Sequence, residues 1–142
     1  MTRTWWALAA GIGLGAGAMA MASAHDEGEK VNAIAERMIL EKLDGKDAKV
    51  TFVEVTIEPG QAGVPHRHPG PGFGYILEGE YEWAIDDQPA KILKAGETFY
   101  EPTKCLHRVS RNPSTRQKAR LLAVVLQPRD GGPVAVPEPA HE

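Results

Sequence analysis

Turn signals recur at short intervals along most of this chain, and their spacing constrains the fold more than any other feature. They stand at Asp44-Gly45-Lys46-Asp47, Pro59-Gly60, Pro69-Gly70-Pro71-Gly72, Glu78-Gly79, Asp86-Asp87, Ala95-Gly96 and Asn112-Pro113. Gly, Pro, Asn and Asp set the backbone angles that a chain reversal needs. The segments between these turns are too short for a substantial helix and suit strands in a sandwich or barrel. The 15 glycines and 11 prolines among 142 residues agree with a single all-β domain.

The segments carry strand patterns of their own. Thr51, Val53, Val55 and Ile57 alternate with Glu54, Thr56 and Glu58, as in a strand with one buried face. Tyr81, Trp83 and Ile85 alternate with Glu80, Glu82, Ala84 and Asp86, which turns an aromatic and apolar face toward a core or a partner. Ala119 to Leu126 is nearly continuous apolar sequence, so both faces are expected to be covered, one of them by a second subunit. Between Glu27 and Leu43 two readings stand: Val31, Ile34, Ala35, Met38 and Ile39 fit a helical face, while Met38 to Leu43 also suits an entry strand. Beyond Gln127 the Pro-rich sequence reads as a tail.

Residues 1–24 differ in character from the rest. Arg3 precedes an uncharged apolar stretch from Trp5 to Met21, and Ala22-Ser23-Ala24 matches the small-residue cleavage pattern of a secretory signal. Cleavage before His25 would place the mature protein in the periplasm or outside the cell, with no stable membrane span. An uncleaved anchor is the alternative, and the stretch is short against the roughly 20 apolar residues a span needs.

Charge narrows the partners. The 16 basic and 19 acidic residues give a net charge of -3 with no basic cluster, so nucleic acid is not an expected partner. The lone Cys105 allows no intramolecular disulfide. It reads either as a small buried core residue or as a thiol protected by a nearby metal.

The chemistry concentrates in the histidines. His66 and His68 lie two residues apart, so on an extended segment both side chains project from one face. His107 comes from a different predicted strand. Three neutral imidazoles from two strands can supply a facial set of metal ligands, leaving positions open for water, substrate or dioxygen. An H-x-H pair is also a common surface feature, so its spacing alone leaves both readings open. His25, once at a mature N-terminus, could chelate copper with its amine and imidazole or have no function; His141 in the tail is expected to be solvated.

The residues around these histidines resemble the cupin superfamily. Gly60, His66, His68 and Gly79 stand as G-x5-H-x-H-x10-G, and Gly96, Pro102, His107 and Asn112 stand as G-x5-P-x4-H-x4-N. Tyr75-Ile76-Leu77-Glu78-Gly79-Glu80 and Ala95-Gly96-Glu97-Thr98-Phe99 are similar to cupin segments as well. The resemblance covers about residues 48 to 127. It implies a double-stranded β-helix, a jelly-roll barrel with a metal bound inside, and a homodimer. The chain then divides into a leader over 1–24, an N-terminal segment over 25–47, a barrel over 48–127 and a tail over 128–142.

Three departures from the motifs stand out. Where the first motif places a glutamate ligand, seven residues before its second glycine, this chain has Gly72 with Phe73 beside it. Lys104 replaces a usual glycine of the second motif, and Asn112 falls one residue late. Loss of the glutamate would leave a bound ion with more net positive charge and a further open site. The resemblance to three-histidine cupins implies a divalent transition metal, with Fe(II) favoured and Mn, Ni, Cu or Zn as alternatives, and non-haem dioxygenase chemistry on a small organic substrate. Tyr75, Tyr100 and Glu101 are candidates for hydrogen bonding near the ion, with Glu101 also a substitute carboxylate ligand; each also reads as an ordinary strand residue. Phe73, Ile76, Leu77 and Phe99 are expected to line the barrel, and Arg67 and Arg108 to face outward. A non-catalytic module that captures a metal or small molecule is the competing reading, because no general base stands out beyond the histidines. Isomerase or lyase chemistry is a third.

Overall fold

The computed structural model describes residues 28–139, so the leader, His25 and His141 lie outside the described residues. Ten strands follow one another: β1 (Glu29–Leu43), β2 (Lys46–Ile57), β3 (His66–Arg67), β4 (Gly72–Glu78), β5 (Glu80–Ile85), β6 (Lys91–Lys94), β7 (Thr98–Glu101), β8 (His107–Arg111), β9 (Ala119–Pro128) and β10 (Val136–Pro137). They form two five-stranded sheets, in the orders β1-β2-β9-β4-β7 and β10-β3-β8-β5-β6, with every pairing antiparallel. Among the described residues there is no helix, and so none long and apolar enough to cross a membrane. The all-β expectation holds.

The segment read two ways from its sequence is strand β1, joined to β2 by a two-residue hairpin turn. Asp44 and Gly45 both adopt positive φ, 51° and 75°, as the tight turn matched to strand twist requires. Pairing slips between Ala33 and Ala35 and again between Met38 and Lys42. Each irregularity changes which side chains face inward, so the period of two is broken and the apolar residues fall at helix-like spacing.

Alternation governs the remaining strands. Val53, Val55 and Ile57 from β2, Ile76 from β4, Tyr81, Trp83 and Ile85 from β5, and Ala119 and Leu121 from β9 form one buried cluster between the sheets. Complete burial of side chains of this size contributes about 1.5–3 kcal/mol each. Strand β9 buries Ala119, Leu121 and Val125 within the fold, whereas Leu122 and Val124 are half-buried on its outer face. The turn after β4 depends on its glycine. Gly79 has a φ of +77°, and a β-carbon there would lie 2.4 Å from the Lys118 carbonyl oxygen.

Two further features position the site. The segment read as a tail folds back on the second sheet, where β10 pairs with β3, Arg67 grips Glu138 at 2.8 and 3.1 Å, and Glu138 N–H donates to the Pro65 carbonyl. Composition hid this because the anchoring comes from backbone pairing and one ion pair, neither of which needs large apolar residues. The loop before β8 is held by Lys104, whose N–H donates to the His68 carbonyl at 3.1 Å while its own φ is +61°. That left-handed angle explains why a glycine suits this position.

Candidate metal centre

The pairing of β3 with β8 sets His66 directly opposite His107, and His68 follows on the same face as His66. The three rings bring donor atoms within 4.8 Å of one another, on the inner side of the barrel. His107 is 4% exposed, and His66 and His68 are half-buried.

Hydrogen bonding fixes the tautomer of each ring. His66 Nδ1 lies 2.8 Å from the Val64 carbonyl oxygen and His68 Nδ1 2.5 Å from that of Val134. A carbonyl only accepts, so both Nδ1 atoms carry the proton and both Nε2 atoms present a lone pair. The Tyr81 hydroxyl donates to Ser110 Oγ at 3.0 Å and stands 3.1 Å from His107 Nε2, so it accepts the proton of that nitrogen. His107 Nδ1 is thereby left bare, and it is buried without a hydrogen-bond partner. Burial lowers the pKa of His66 and His68, with His68 adding repulsion at His66; His107 is pushed well below the usual range by burial and then by both neighbours. All three rings are neutral near pH 7.

The resulting donor set suits a cation. The Nε2 atoms of His66 and His68 are 3.2 Å apart with a lone pair on each. Metal–imidazole bonds of about 2.0–2.1 Å put adjacent ligands on one ion about 3 Å apart. A buried, unpartnered nitrogen and two bare nitrogens at ligand spacing therefore fit a divalent ion, and the three-histidine cluster could hold one.

Behind the histidines stands Glu101, 2% exposed. Trp83 Nε1–H donates to its Oε1 at 3.0 Å. Its Oε2 is 3.3 Å from His68 Nε2, and its Oε1 is 3.1 Å from His107 Nδ1 without the alignment of a hydrogen bond. Burial raises the Glu101 carboxyl pKa, opposed by the Trp83 hydrogen bond and by His66.

The site opens onto a cavity of about 380 Å3 walled mainly by apolar side chains, among them Val53, Val55, Phe99, Leu121 and Val125. Val134 and Pro137 of the folded-back segment close part of it. This volume lies within the range of small-molecule sites.

The structure sorts the other candidates. Tyr75 and Tyr100 are corrected: they are 45% and 52% exposed, on the outer face of the first sheet, because Phe99 and Glu101 take the inward positions of β7 and Gly74 and Ile76 those of β4. Leu77, also expected in the barrel lining, is 41% exposed and outside the cavity wall, whereas Phe73, although 49% exposed, does line the cavity. Arg67 and Arg108 face outward as expected, Arg108 donating to the Asp86 and Gln88 carbonyls. Cys105 packs against the core, its thiol pushed up to about 11 by burial and by Glu101 and Asp86. Asn112 is fully buried and pins its loop, donating to the Ile57 and Gln117 carbonyls and accepting from Ser114 N–H. The sequence reading missed Tyr81 and Trp83 as partners of the site. Their inward face was visible, but nothing in the pattern told which inward polar atom would meet a histidine or a carboxylate.

Two antiparallel sheets closed around inward histidines define a small β-barrel protein whose three-histidine cluster could hold an ion beside an apolar cavity. Over residues 53–125 the sequence matches the cupin domain family, and the chain belongs to that family. Its fold is a double-stranded β-helix, and solved structures agree. Recombinant oxalate oxidase in complex with glycolate superposes with a TM-score of 0.58 at 21% identity, covering 80% of this chain and 56% of that one. KdgF from Halomonas sp. gives 0.57 at 19% identity over 74% of this chain and 84% of that one. An uncharacterized conserved protein with a double-stranded beta-helix domain from Klebsiella pneumoniae gives 0.58 at 18% identity over 82% and 89%. The chain thus spans little more than half the length of the oxalate oxidase, and at these identities the likeness is one of fold. No curated protein matches the chain.

Proposed function

We propose that this is an exported metal-dependent cupin whose centre on His66, His68 and His107 binds Fe(II) and oxygenates a small, largely apolar organic molecule held in the barrel cavity. The observation that carries this reading is the set of three bare nitrogens, each fixed in its tautomer by another group, converging at one end of an apolar cavity. A bound divalent ion would supply Lewis acidity and, as iron, access to dioxygen chemistry. The chain's own groups prepare for it. The Val64 and Val134 carbonyls and the Tyr81 hydroxyl orient the rings, and the Val and Phe walls exclude water and favour an apolar substrate. The leader over residues 1–24 makes the periplasm or the exterior the proposed location, and the half-exposed apolar face of the first sheet makes a homodimer the proposed assembly.

A second reading is a module that captures a metal or small molecule without turnover. The folded-back segment favours it, since Pro133, Val134, Ala135 and Pro137 wall the cavity and the Val134 carbonyl holds His68. Protein purified without a chelating tag and loaded anaerobically with Fe(II) separates the two. Near-stoichiometric iron with oxygen uptake that depends on added small phenols, diketones or thiols supports the oxygenase. Tightly held metal without uptake supports the module, and no bound metal would sink both.

A further inference from the structure

Position 72 holds glycine, and the structure shows what occupies the space in front of it. Gly72 and Glu101 are direct partners in the β4–β7 ladder, so they share one face of the first sheet, the inner one. A β-carbon on Gly72 would lie 3.5 Å from Glu101 Oε2, 3.6 Å from Glu101 Cβ and 3.7 Å from His68 Cδ2. The carboxylate of the neighbouring strand therefore reaches across the ladder into the volume that a longer side chain at 72 would enter.

We infer that Glu101 is the carboxylate ligand of the metal centre, supplied from β7 in place of a residue at position 72; this rests on the metal-binding reading above. The distances to the histidines agree. Glu101 Oε2 is 3.3 Å from His68 Nε2 and its Oε1 3.1 Å from His107 Nδ1, close to the spacing of about 3 Å for neighbouring ligands of one ion. Both nitrogens are bare, so neither can donate to the Glu101 carboxylate, and each carboxylate oxygen stands at ligand spacing from one of them.

Charge balance leads to the same place. For a carboxyl that is 2% exposed to be ionised it needs a cation or several donors, since a buried charge left uncompensated costs several kcal/mol. Among the described residues no lysine or arginine forms an ion pair with Glu101, and its one hydrogen-bond donor is Trp83 Nε1–H. That donor orients Oε1 and leaves Oε2 free to ligate, the usual division of labour between a ligating group and its outer partner. Glycine at 72 then has a positive role. A glutamate there would set two carboxylates side by side in the same buried volume, whereas glycine makes room for the one that arrives from β7. Three imidazoles and one carboxylate would still leave a bound ion accessible to a small ligand.

The test moves the carboxylate back across the ladder. Gly72 sits in β4 without a left-handed backbone angle, and its nearest neighbours are at ordinary contact distance, so a side chain fits there once Glu101 is shortened. Mn(II) affinity by competition with a chelator and the Mn(II) EPR spectrum would be measured for wild type, Glu101→Gln, Glu101→Ala, the Gly72→Glu/Glu101→Ala exchange and His66→Ala, with melting curves confirming that each folds. Glu101→Gln keeps the size and an acceptor for Trp83, so it guards against a packing artefact. The expected result is a loss of more than about tenfold in affinity for both Glu101 variants, since losing even an outer partner costs that much, with a changed EPR spectrum and recovery in the exchange variant. Wild-type affinity and spectrum in Glu101→Gln and Glu101→Ala, alongside loss of metal in His66→Ala, would overturn the assignment while leaving the three-histidine site in place. Failure of wild type to bind Mn(II), Fe(II) or any other divalent transition ion would overturn the metal-binding reading itself.

Discussion

His66 and His68 face each other through Nε2 atoms 3.2 Å apart, and neither atom carries a proton, because the Nδ1–H of each ring is committed to a backbone carbonyl. Two lone pairs at that separation repel until a cation lies between them. The metal-loaded protein is therefore expected to be markedly more stable than the metal-free one. At a free metal concentration about a thousand times Kd, linkage gives about 4 kcal/mol, which for a domain of this size raises Tm by roughly 10 °C or more. Calorimetry with and without a chelator checks this, and coincident melting curves would count against the site.

Single substitutions should separate the inner residues from the outer ones. His66→Ala and His107→Ala are expected to lower bound metal sharply. Tyr81→Phe removes the oxygen that accepts from His107 Nε2–H and is expected to weaken binding by about 10–100-fold, the usual cost of losing such a partner. Tyr75→Phe and Tyr100→Phe should bind metal like wild type, since both hydroxyls lie on the outer face of the sheet. Elemental analysis of the purified variants decides, and equal metal content in all five would sink the assignment.

Metal-free protein should lose stability on mild acidification. His66, His68 and His107 all have folded-state pKa values below the ordinary 6.5, lowered chiefly by burial. Below pH 6.5 the unfolded chain therefore binds protons that the folded one does not, so their contribution is fully present above that pH and is lost as the pH falls toward the folded values. Three such groups would give a limiting slope of about 4 kcal/mol per pH unit. Glu101 acts with the opposite sign: its raised pKa makes the folded state the better proton acceptor above 4.5, which offsets part of the loss. Urea midpoints at pH 7.5 and 5.5 read the balance. A midpoint that is unchanged or higher at pH 5.5 would show that the histidines do not control it.

What could be read in advance followed from local rules, and what could not depended on partners distant in sequence. Asp44-Gly45 announced its hairpin because only a few residue types tolerate two successive positive φ angles, and the inward face of β5 was visible in Tyr81, Trp83 and Ile85. The histidine trio was legible from spacing and from the family motifs. Glu101 could be named as a substitute carboxylate but its position could not be read, since its role depends on which residue stands opposite it, and Gly72 is brought there only by the β4–β7 pairing. Tyr75 and Tyr100 were misplaced for a related reason: alternation tells that neighbours differ in face but not which face is inside. Bulges in β1 erased the alternation altogether.

Backbone angles near the site give a pair of opposite stability effects. Lys104 holds a φ of +61°, which costs a residue with a side chain about 1–2 kcal/mol and glycine much less, so Lys104→Gly should stabilise by up to about 1 kcal/mol. Gly79→Ala meets both a φ of +77° and the Lys118 carbonyl oxygen at 2.4 Å, and should destabilise by about 2 kcal/mol or more. Chemical denaturation of the two variants measures both signs. A destabilised Lys104→Gly protein would contradict the reading of that loop.

The outer face of the first sheet carries a group of half-exposed apolar side chains. Phe73, Tyr75 and Tyr100 are each about half exposed there, Phe73 packs on Tyr100 with ring centres 5.4 Å apart, and Leu122 and Val124 extend the same shallow groove. Aromatic and aliphatic side chains grouped on one surface are characteristic of subunit interfaces, and β7 forms the edge of the sheet beside them. The protein is therefore expected to be a homodimer in solution, and Leu122→Glu or Tyr100→Glu to shift it to monomer by placing a charge where desolvation is required. Because Leu122 and Tyr100 do not line the cavity, the monomeric variants should retain wild-type metal content. Light scattering coupled to size exclusion measures the mass of each. Wild type that stays monomeric at tens of micromolar would remove the dimer, and metal lost together with the dimer would mean that assembly shapes the site after all.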